Sequence, residues 1–386
     1  MRIFPWFISF SITAAALGTA GCGSHSKPGP CPDCPQTTNH SVYVANEGGN
    51  QSTVSVLASD ATTGVLTPKS GSPYNTGSGS MALAKNPLSG FIYVANNLSG
   101  NISGFSINSS TGALTPVPGS PFTAEIGVDS LTIDPQGGFL YAASEQSANL
   151  WIFSINSNGS LGSVGGSPML ISSSGSESSS VVVDPTGKYL YVITGSPVGI
   201  YGFSRNATTG GLTQLVGFPV PANGQANQTT FNPSGKFLLV TGTGVFGLEG
   251  GLEVFSLNAA TGALSTTTAS PVQVGRDPAG VVMDSSGTYV YVPNTADSTI
   301  SAFTMDSSSG SLSSIGGSPF PSGGNGSING PTGVTTDNVS HFVYVCNASN
   351  DVSVFAINAG NGALSPIGGS PFPDGGNGPR AILFVP

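Results

Sequence analysis

A four-residue strand end returns seven times along the chain. It reads YVAN at 43–46, YVAN at 93–96, YAAS at 141–144, YVIT at 191–194, LVTG at 239–242, YVPN at 291–294 and YVCN at 344–347. The steps between copies are 50, 48, 50, 48, 52 and 53 residues. A period of this length constrains the fold more than any single residue, because each repeat buries its apolar faces only against its neighbours. Every unit has four parts. A short apolar run precedes a turn (VVVDPTGK, TTFNPSGK), and the Tyr-Val strand follows. A third strand alternates apolar and small residues (NLWIFSIN, DVSVFAIN). After a Thr-Gly turn, a fourth runs through Leu to a Ser-Pro-Phe-like end (LTPVPGSPF, LSPIGGSPF). Four short strands separated by turn signals make one antiparallel blade. Seven blades make an all-β, seven-bladed β-propeller.

We name the strands a to d outward from the central channel. Proline in strand d suits an outer edge, where a missing N–H breaks no ladder bond. The Asp/Asn-Pro-x-Gly turns between a and b are local backbone chemistry, so their Asp residues read as structural. Closure is legible too. The propeller, residues 41–386, enters at strand b of blade 1 and ends on a lone strand a, Arg380–Val385. The last strand is therefore expected to complete the first blade and hide its edge.

Residues 1–21 have the form of a secretory signal, with Arg2 as the only early charge before an apolar run to Ala20. Thr19-Ala20-Gly21-Cys22 is similar to a bacterial lipoprotein cleavage site, which makes Cys22 the lipidation candidate. The alternatives are an ordinary cleaved signal or an uncleaved apolar anchor. Residues 22–40 are Pro-rich and read as an extended tether. Within it, Cys31 and Cys34 are spaced for a local disulfide in an exported chain. Read instead as metal ligands, they need two partners, and His25 and His40 are the nearest. The expected location is the periplasm, the outer membrane or the cell surface, with the membrane reached only through a lipid anchor. Cys346, in a strand b, reads as a buried small hydrophobe.

Composition narrows the partners. Only 7% of residues are charged, against roughly 25% in an ordinary soluble domain. With 9 Lys and Arg and a net charge of −9, the chain has no phosphate-neutralising patch, which excludes nucleic acid. Propeller topology sorts these charges by face. The d–a and b–c loops form one face, here the top, and carry ten carboxylates, Asp129, Asp351 and Asp374 among them, against Arg276 and Arg380. The bottom is nearly balanced. An acidic rim repels an anionic ligand. It favours a neutral or cationic small molecule, a divalent cation or a partner protein. Glu145, Asp277 and Asp297 are the rim candidates for such contacts. No residue pattern calls for a cofactor, and the chain is expected to be a monomer.

The repeats resemble those of YVTN-type propellers, and more narrowly the seven-bladed lactonase family of 6-phosphogluconolactonase-like proteins. The resemblance covers residues 41–386. It implies lactone hydrolysis at the channel mouth, where family enzymes carry Gly-Pro-Arg-His at the start of a strand a and Asn-Glu at the end of the same blade's strand b. Here Gly378-Pro379-Arg380 is followed by Ala381, and Asn46-Glu47 supplies the partner strand. Arg380 and Glu47 are thus the catalytic candidates that the resemblance implies, with Arg276 as a further one, and the His of the motif is absent.

Lactone hydrolysis needs a base for water and a donor for the developing oxyanion. Glu47 and Arg380 have those chemistries. The same two residues also suit a plain ion pair stitching the closure blade. The sequence therefore supports two functions of different kinds. One is an exported lactone hydrolase. The other is a non-catalytic binding or scaffold propeller that docks a protein, glycan or cation on its acidic top face.

Overall fold

The computed structural model describes residues 40–386 apart from 49–50, 173–176, 197, 325–329 and 338–340. These residues form seven antiparallel sheets, with no helix among them. Blade 3 shows the pattern: strand a is Val128–Ile133, b is Phe139–Ser144, c is Asn149–Ile155 and d is Leu161–Ser163. The ring closes as the sequence predicts. Pro379–Val385 pairs with His40–Asn46, placing Tyr43 opposite Leu383 and Ala45 opposite Ala381.

One detail differs from the expected single strand d. In six blades the chain makes a second, two-residue outer strand that also pairs with strand c, such as Met169–Leu170 beside Asn149 and Leu150. Between the two outer segments lies a cis Ser-Pro bond. The serine hydroxyl accepts a strand-c N–H that neither segment covers, at 2.8 Å for Val56 on Ser72 and for Ile152 on Ser167. The Ser-Pro motif therefore patches the outer ladder as well as marking its edge.

The apolar core is divided among the blade interfaces. One cluster joins Tyr141, Leu150 and Ile152 of blade 3 to Val181, Leu190 and Phe203 of blade 4. Another joins Val42, Val44 and Leu57 of blade 1 to Tyr344, Val352 and Val354 of blade 7. This is the packing expected of repeats that bury their faces only against one another.

The recurring Tyr has a specific task. The hydroxyl of Tyr43 donates to the Gly112 carbonyl at 2.9 Å, Tyr93 to Gly159 at 2.8 Å, Tyr141 to Gly210 at 2.9 Å, Tyr191 to Gly262 at 2.7 Å and Tyr291 to Gly362 at 2.8 Å. Each acceptor is the c–d turn glycine of the next blade, held at a positive φ such as 74° at Gly112, which glycine adopts without a Cβ clash. The motif Tyr and the c–d turn glycine, which follows Thr or Asn, are thus two halves of one blade-to-blade bond.

The a–b turn acids are structural, as read. Asp134 accepts the Phe139 N–H at 2.7 Å, and Asp184 accepts that of Tyr189 at 2.6 Å. Asp134 also pairs with Arg205 of blade 4 at 3.0 Å, with both side chains buried. What looked from sequence like two bottom-face surface charges is an internal ion pair between blades. His40 is likewise inside the fold, where its ring meets Phe384 edge-on.

Candidate site at the channel mouth

In six of the seven blades strand a carries one extra residue against strand b, near its top end; in blade 4 a skip on strand a is matched by one on strand b. The pairing skips Met81 between Ser80 and Ala82, Asp129 between Val128 and Ser130, Asn227 between Ala226 and Gln228, and Thr332 between Pro331 and Gly333. In blade 1 the skipped residue is Arg380, between Pro379 and Ala381. In blade 6 the pairings of Pro278 with Asn294 and of Val282 with Tyr291 leave one surplus residue between them. A β-bulge frees a residue from the ladder and re-aims it. Repeated around the ring, the bulges put a circle of unpaired residues at one level of the channel.

Met81, Asp129, Ala279, Thr332 and Arg380 line a cavity of about 220 Å³ at that level. Ser130, Ser180, Gln228 and Ala381 share its wall, and Leu83, Leu131, Val181, Val281, Val334 and Ile382 form an apolar collar. The surface the cavity presents is mostly polar, with the carboxylate of Asp129, the guanidinium of Arg380 and the side chains of Ser130, Gln228 and Thr332 among its lining groups.

Arg380 sits on this lip, and its position is fixed from several sides. Its Nε bonds to the Glu47 carboxylate in an ion pair that is partly open to solvent. The two strand ends are tied by Glu47 N to Gly378 O and Gly48 N to Asn377 O, both 2.8 Å. Thr332 Oγ1 holds the Pro379 carbonyl at 2.7 Å, and Asn350 Oδ1 accepts the Gly378 N–H at 2.8 Å. Both terminal nitrogens of Arg380 are without a protein partner among the described residues.

Asp129 occupies the same bulge position in blade 3. Sequence reasoning placed it among the rim charges. The structure instead puts it on the channel wall, with Oδ1 buried and unpartnered. Burial, reinforced by the nearby Glu145 charge, pushes its carboxyl well above the usual range. The signal available in sequence was a carboxylate inside a strand-a segment, Val128-Asp129-Ser130, rather than beside one. Glu145 lies just past strand b of the same blade and accepts an N–H from Asn97 at 2.8 Å.

The other candidates lie elsewhere. Arg276 is not among the residues lining the cavity. It pairs with Asp297 at 2.6 Å and also donates its backbone N–H to that carboxylate at 2.7 Å. Burial alone would raise the Asp297 carboxyl, but the Arg276 bonds and charge outweigh it and hold it below its ordinary value. Asp277 is exposed in the same loop, with φ at 54°. Two acids expected on the rim, Asp351 and Asp374, are buried. Cys346 is fully buried, and burial pushes its thiol up to about 12, consistent with a packing role. Among the described residues no group of three or more His, Cys, Asp or Glu is placed to hold a metal ion. Cys22, Cys31 and Cys34 lie outside the described residues.

Comparison with known proteins agrees with this architecture. A family model described as lactonase, 7-bladed β-propeller, matches residues 35–225, 181–328 and 225–386. No curated protein matches the chain. Among solved structures, a protein of Bacteroides uniformis provisionally assigned as a 6-phosphogluconolactonase is 19% identical, with a TM-score of 0.72. The match covers 90% of this chain and 100% of that one. A similarly assigned protein of Bacteroides fragilis is 18% identical over 92% and 100%, with a TM-score of 0.73. The periplasmic gluconolactonase of Pseudomonas aeruginosa is 18% identical over 90% and 99%, with a TM-score of 0.71.

Proposed function

We propose that this chain, which belongs to the seven-bladed β-propeller lactonase family, is an exported hydrolase of neutral sugar lactones. One observation carries the reading. Arg380 stands on the lip of a closed-ring cavity, oriented through Nε by Glu47, with its terminal N–H groups unclaimed. Donors fixed where an oxyanion develops stabilise the tetrahedral intermediate of acyl transfer. Glu47 orients the guanidinium and offsets its charge.

The same geometry favours a neutral substrate. Arg380 is the only Lys or Arg among the residues lining the cavity, it is already paired with Glu47, and Asp129 lines the same wall two blades away. A phosphorylated lactone would bring a dianion to a site without spare positive charge. The test is initial rates with glucono-1,5-lactone and its 6-phosphate. We expect at least about tenfold higher kcat/KM for the neutral compound. No turnover of either would favour the docking role, and a preference for the phosphate would overturn the assigned class.

Export and anchoring belong to the same proposal. They are supported by the signal-like residues 1–21 and by Cys22 after Thr19-Ala20-Gly21. Incorporation of labelled fatty acid that disappears in Cys22→Ala would support the anchor, and unchanged incorporation would remove it.

A further inference from the structure

Arg380 and Asp129 are the cationic and anionic members of one ring of bulged residues. Each is freed from its ladder at the same place in its own blade, and each lines the same cavity. Met81 of blade 2 lies between them in the ring. The motif histidine, which would follow Arg380 directly, is Ala381, so the closure blade supplies no proton carrier on the cavity wall. Asp129 is the one carboxylate among the residues lining the cavity, and its Oδ1 has no protein partner.

We propose that Asp129 is the proton-handling residue of this site, acting as base on the attacking water and as acid on the departing ring oxygen. This rests on the lactonase reading above and deepens it. The water oxygen bonds to the lactone carbonyl carbon while its proton passes to the Asp129 carboxylate. The carbonyl oxygen takes the negative charge against the Arg380 terminal N–H groups. Collapse of the tetrahedral intermediate breaks the bond from the carbonyl carbon to the ring oxygen. That oxygen receives the proton back from Asp129. The product is the open hydroxy acid, and the carboxylate is regenerated.

The surroundings suit a group that must both take and give a proton. Glu145 follows strand b of the same blade and Glu125 precedes its strand a. The flanking strands contribute Lys85 at the far end of strand a in blade 2 and Glu177 at the start of strand a in blade 4. Arg380 is the charged group elsewhere in the cavity lining. Burial, reinforced by the Glu145 charge, raises the Asp129 carboxyl above the ordinary carboxylate range and so makes it a stronger base than a solvated aspartate.

The experiment uses the full chain and two variants, Asp129→Asn and Asp129→Ser, with glucono-1,5-lactone as substrate. Binding of the non-hydrolysable gluconolactam, followed by calorimetry, reports folding and site integrity separately. We expect kcat to fall about 10²- to 10³-fold while the lactam Kd stays within about threefold. The acid limb of the wild-type pH–rate profile should vanish with the carboxylate, and formate should partly restore the rate of Asp129→Ser. Either variant keeping a rate within about threefold of wild type, with the acid limb intact, overturns the role of Asp129 but not the hydrolase reading. No turnover by the wild-type chain overturns both.

Discussion

The Arg380 guanidinium and the Glu47 carboxylate are 333 positions apart in the chain and form one ion pair, across the first and last strands of the closure blade. The pair is partly exposed to solvent, so its contribution to folding is small, about 0–1 kcal/mol. Its weight lies in orienting the arginine.

Stability and activity should therefore separate at this pair. Arg380→Ala is expected to lower kcat/KM for the neutral lactone by about 10²- to 10³-fold, the scale of losing an oxyanion donor. Glu47→Gln keeps a hydrogen-bond acceptor and should cost less. Both variants should melt within a few degrees of wild type. A large fall in melting temperature with unchanged kcat/KM would identify the pair as a structural stitch.

The blade-to-blade tyrosine bonds give a second prediction. Tyr141→Phe removes a buried donor and leaves the Gly210 carbonyl without it. The expected loss is about 1–3 kcal/mol by urea denaturation, the scale of an unsatisfied buried acceptor. Ser106→Ala, which removes an exposed 3.3 Å bond to Thr115 O, should change stability by less than about 0.5 kcal/mol. Equal effects of the two substitutions would contradict the assigned role of the motif Tyr.

The sequence carried the fold because its determinants are local and repeated. Tyr-Val strands, Thr-Gly turns and Asp-Pro turns each recur often enough to be aligned by eye. Closure was legible from where the repeat begins and ends. The site was less so. Arg380 and Glu47 were found through a motif, but Asp129 was misplaced on the rim because a one-residue bulge has no signature in a strand of mixed small residues. Arg276 carries the right chemistry for an anionic intermediate, and only the three-dimensional arrangement shows it paired with Asp297 away from the cavity lining. Asp351 and Asp374 were assigned to solvent by topology, which specifies a face but not a depth.

Blade 5 gives a pH prediction. It has Gly242 at the strand-b position where Asn46, Asn96, Asn294 and Asn347 of four other blades donate to a strand-c serine, as Asn46 does to Ser55 at 2.9 Å. At the position of Ser55, blade 5 has Glu253, buried and accepting the Asn223 backbone N–H at 2.5 Å. Burial outweighs those bonds and raises its carboxyl from its ordinary value near 4.5 to about 7. Between those values the folded chain holds a proton that the unfolded chain has released. Stability from this group is therefore fullest at low pH, falls as pH rises from about 4.5 to 7, and is flat above. Asp129, whose Oδ1 is buried, and buried Asp374 shift the same way and add to the slope. Glu253→Gln should be the more stable form at pH 8, by on the order of 2–3 kcal/mol at most, and should flatten the urea midpoint between pH 5 and 7. A wild-type midpoint that rises steadily over that range would contradict the buried, raised carboxyl.

Closure itself can be tested at a single glycine. The loop from blade 7 into the last strand passes directly over Asn46, and a Cβ on Gly376 would lie 2.1 Å from Asn46 Nδ2. The same crossing occurs at Gly77 over Asn96 and at Gly275 over Asn294, so the strand-end Asn and the loop glycine form one repeated contact. At Gly376 that contact carries the closure strand. Asn46 is buried and bonded to Ser55, so it has little freedom to move aside. Gly376→Ala should force the loop outward, weaken the pairing of Pro379–Val385 with His40–Asn46, and cost about 2–4 kcal/mol. Gly368→Ala is the matched control, because its Cβ would meet nothing within 4 Å and its backbone needs no positive φ. Hydrogen exchange locates the effect. Gly376→Ala should accelerate exchange at Leu383 and Tyr43 before the other blades, whereas Gly368→Ala should leave the ring unchanged. Uniform acceleration around all seven blades would mean that the C-terminal strand is not the point at which the ring opens.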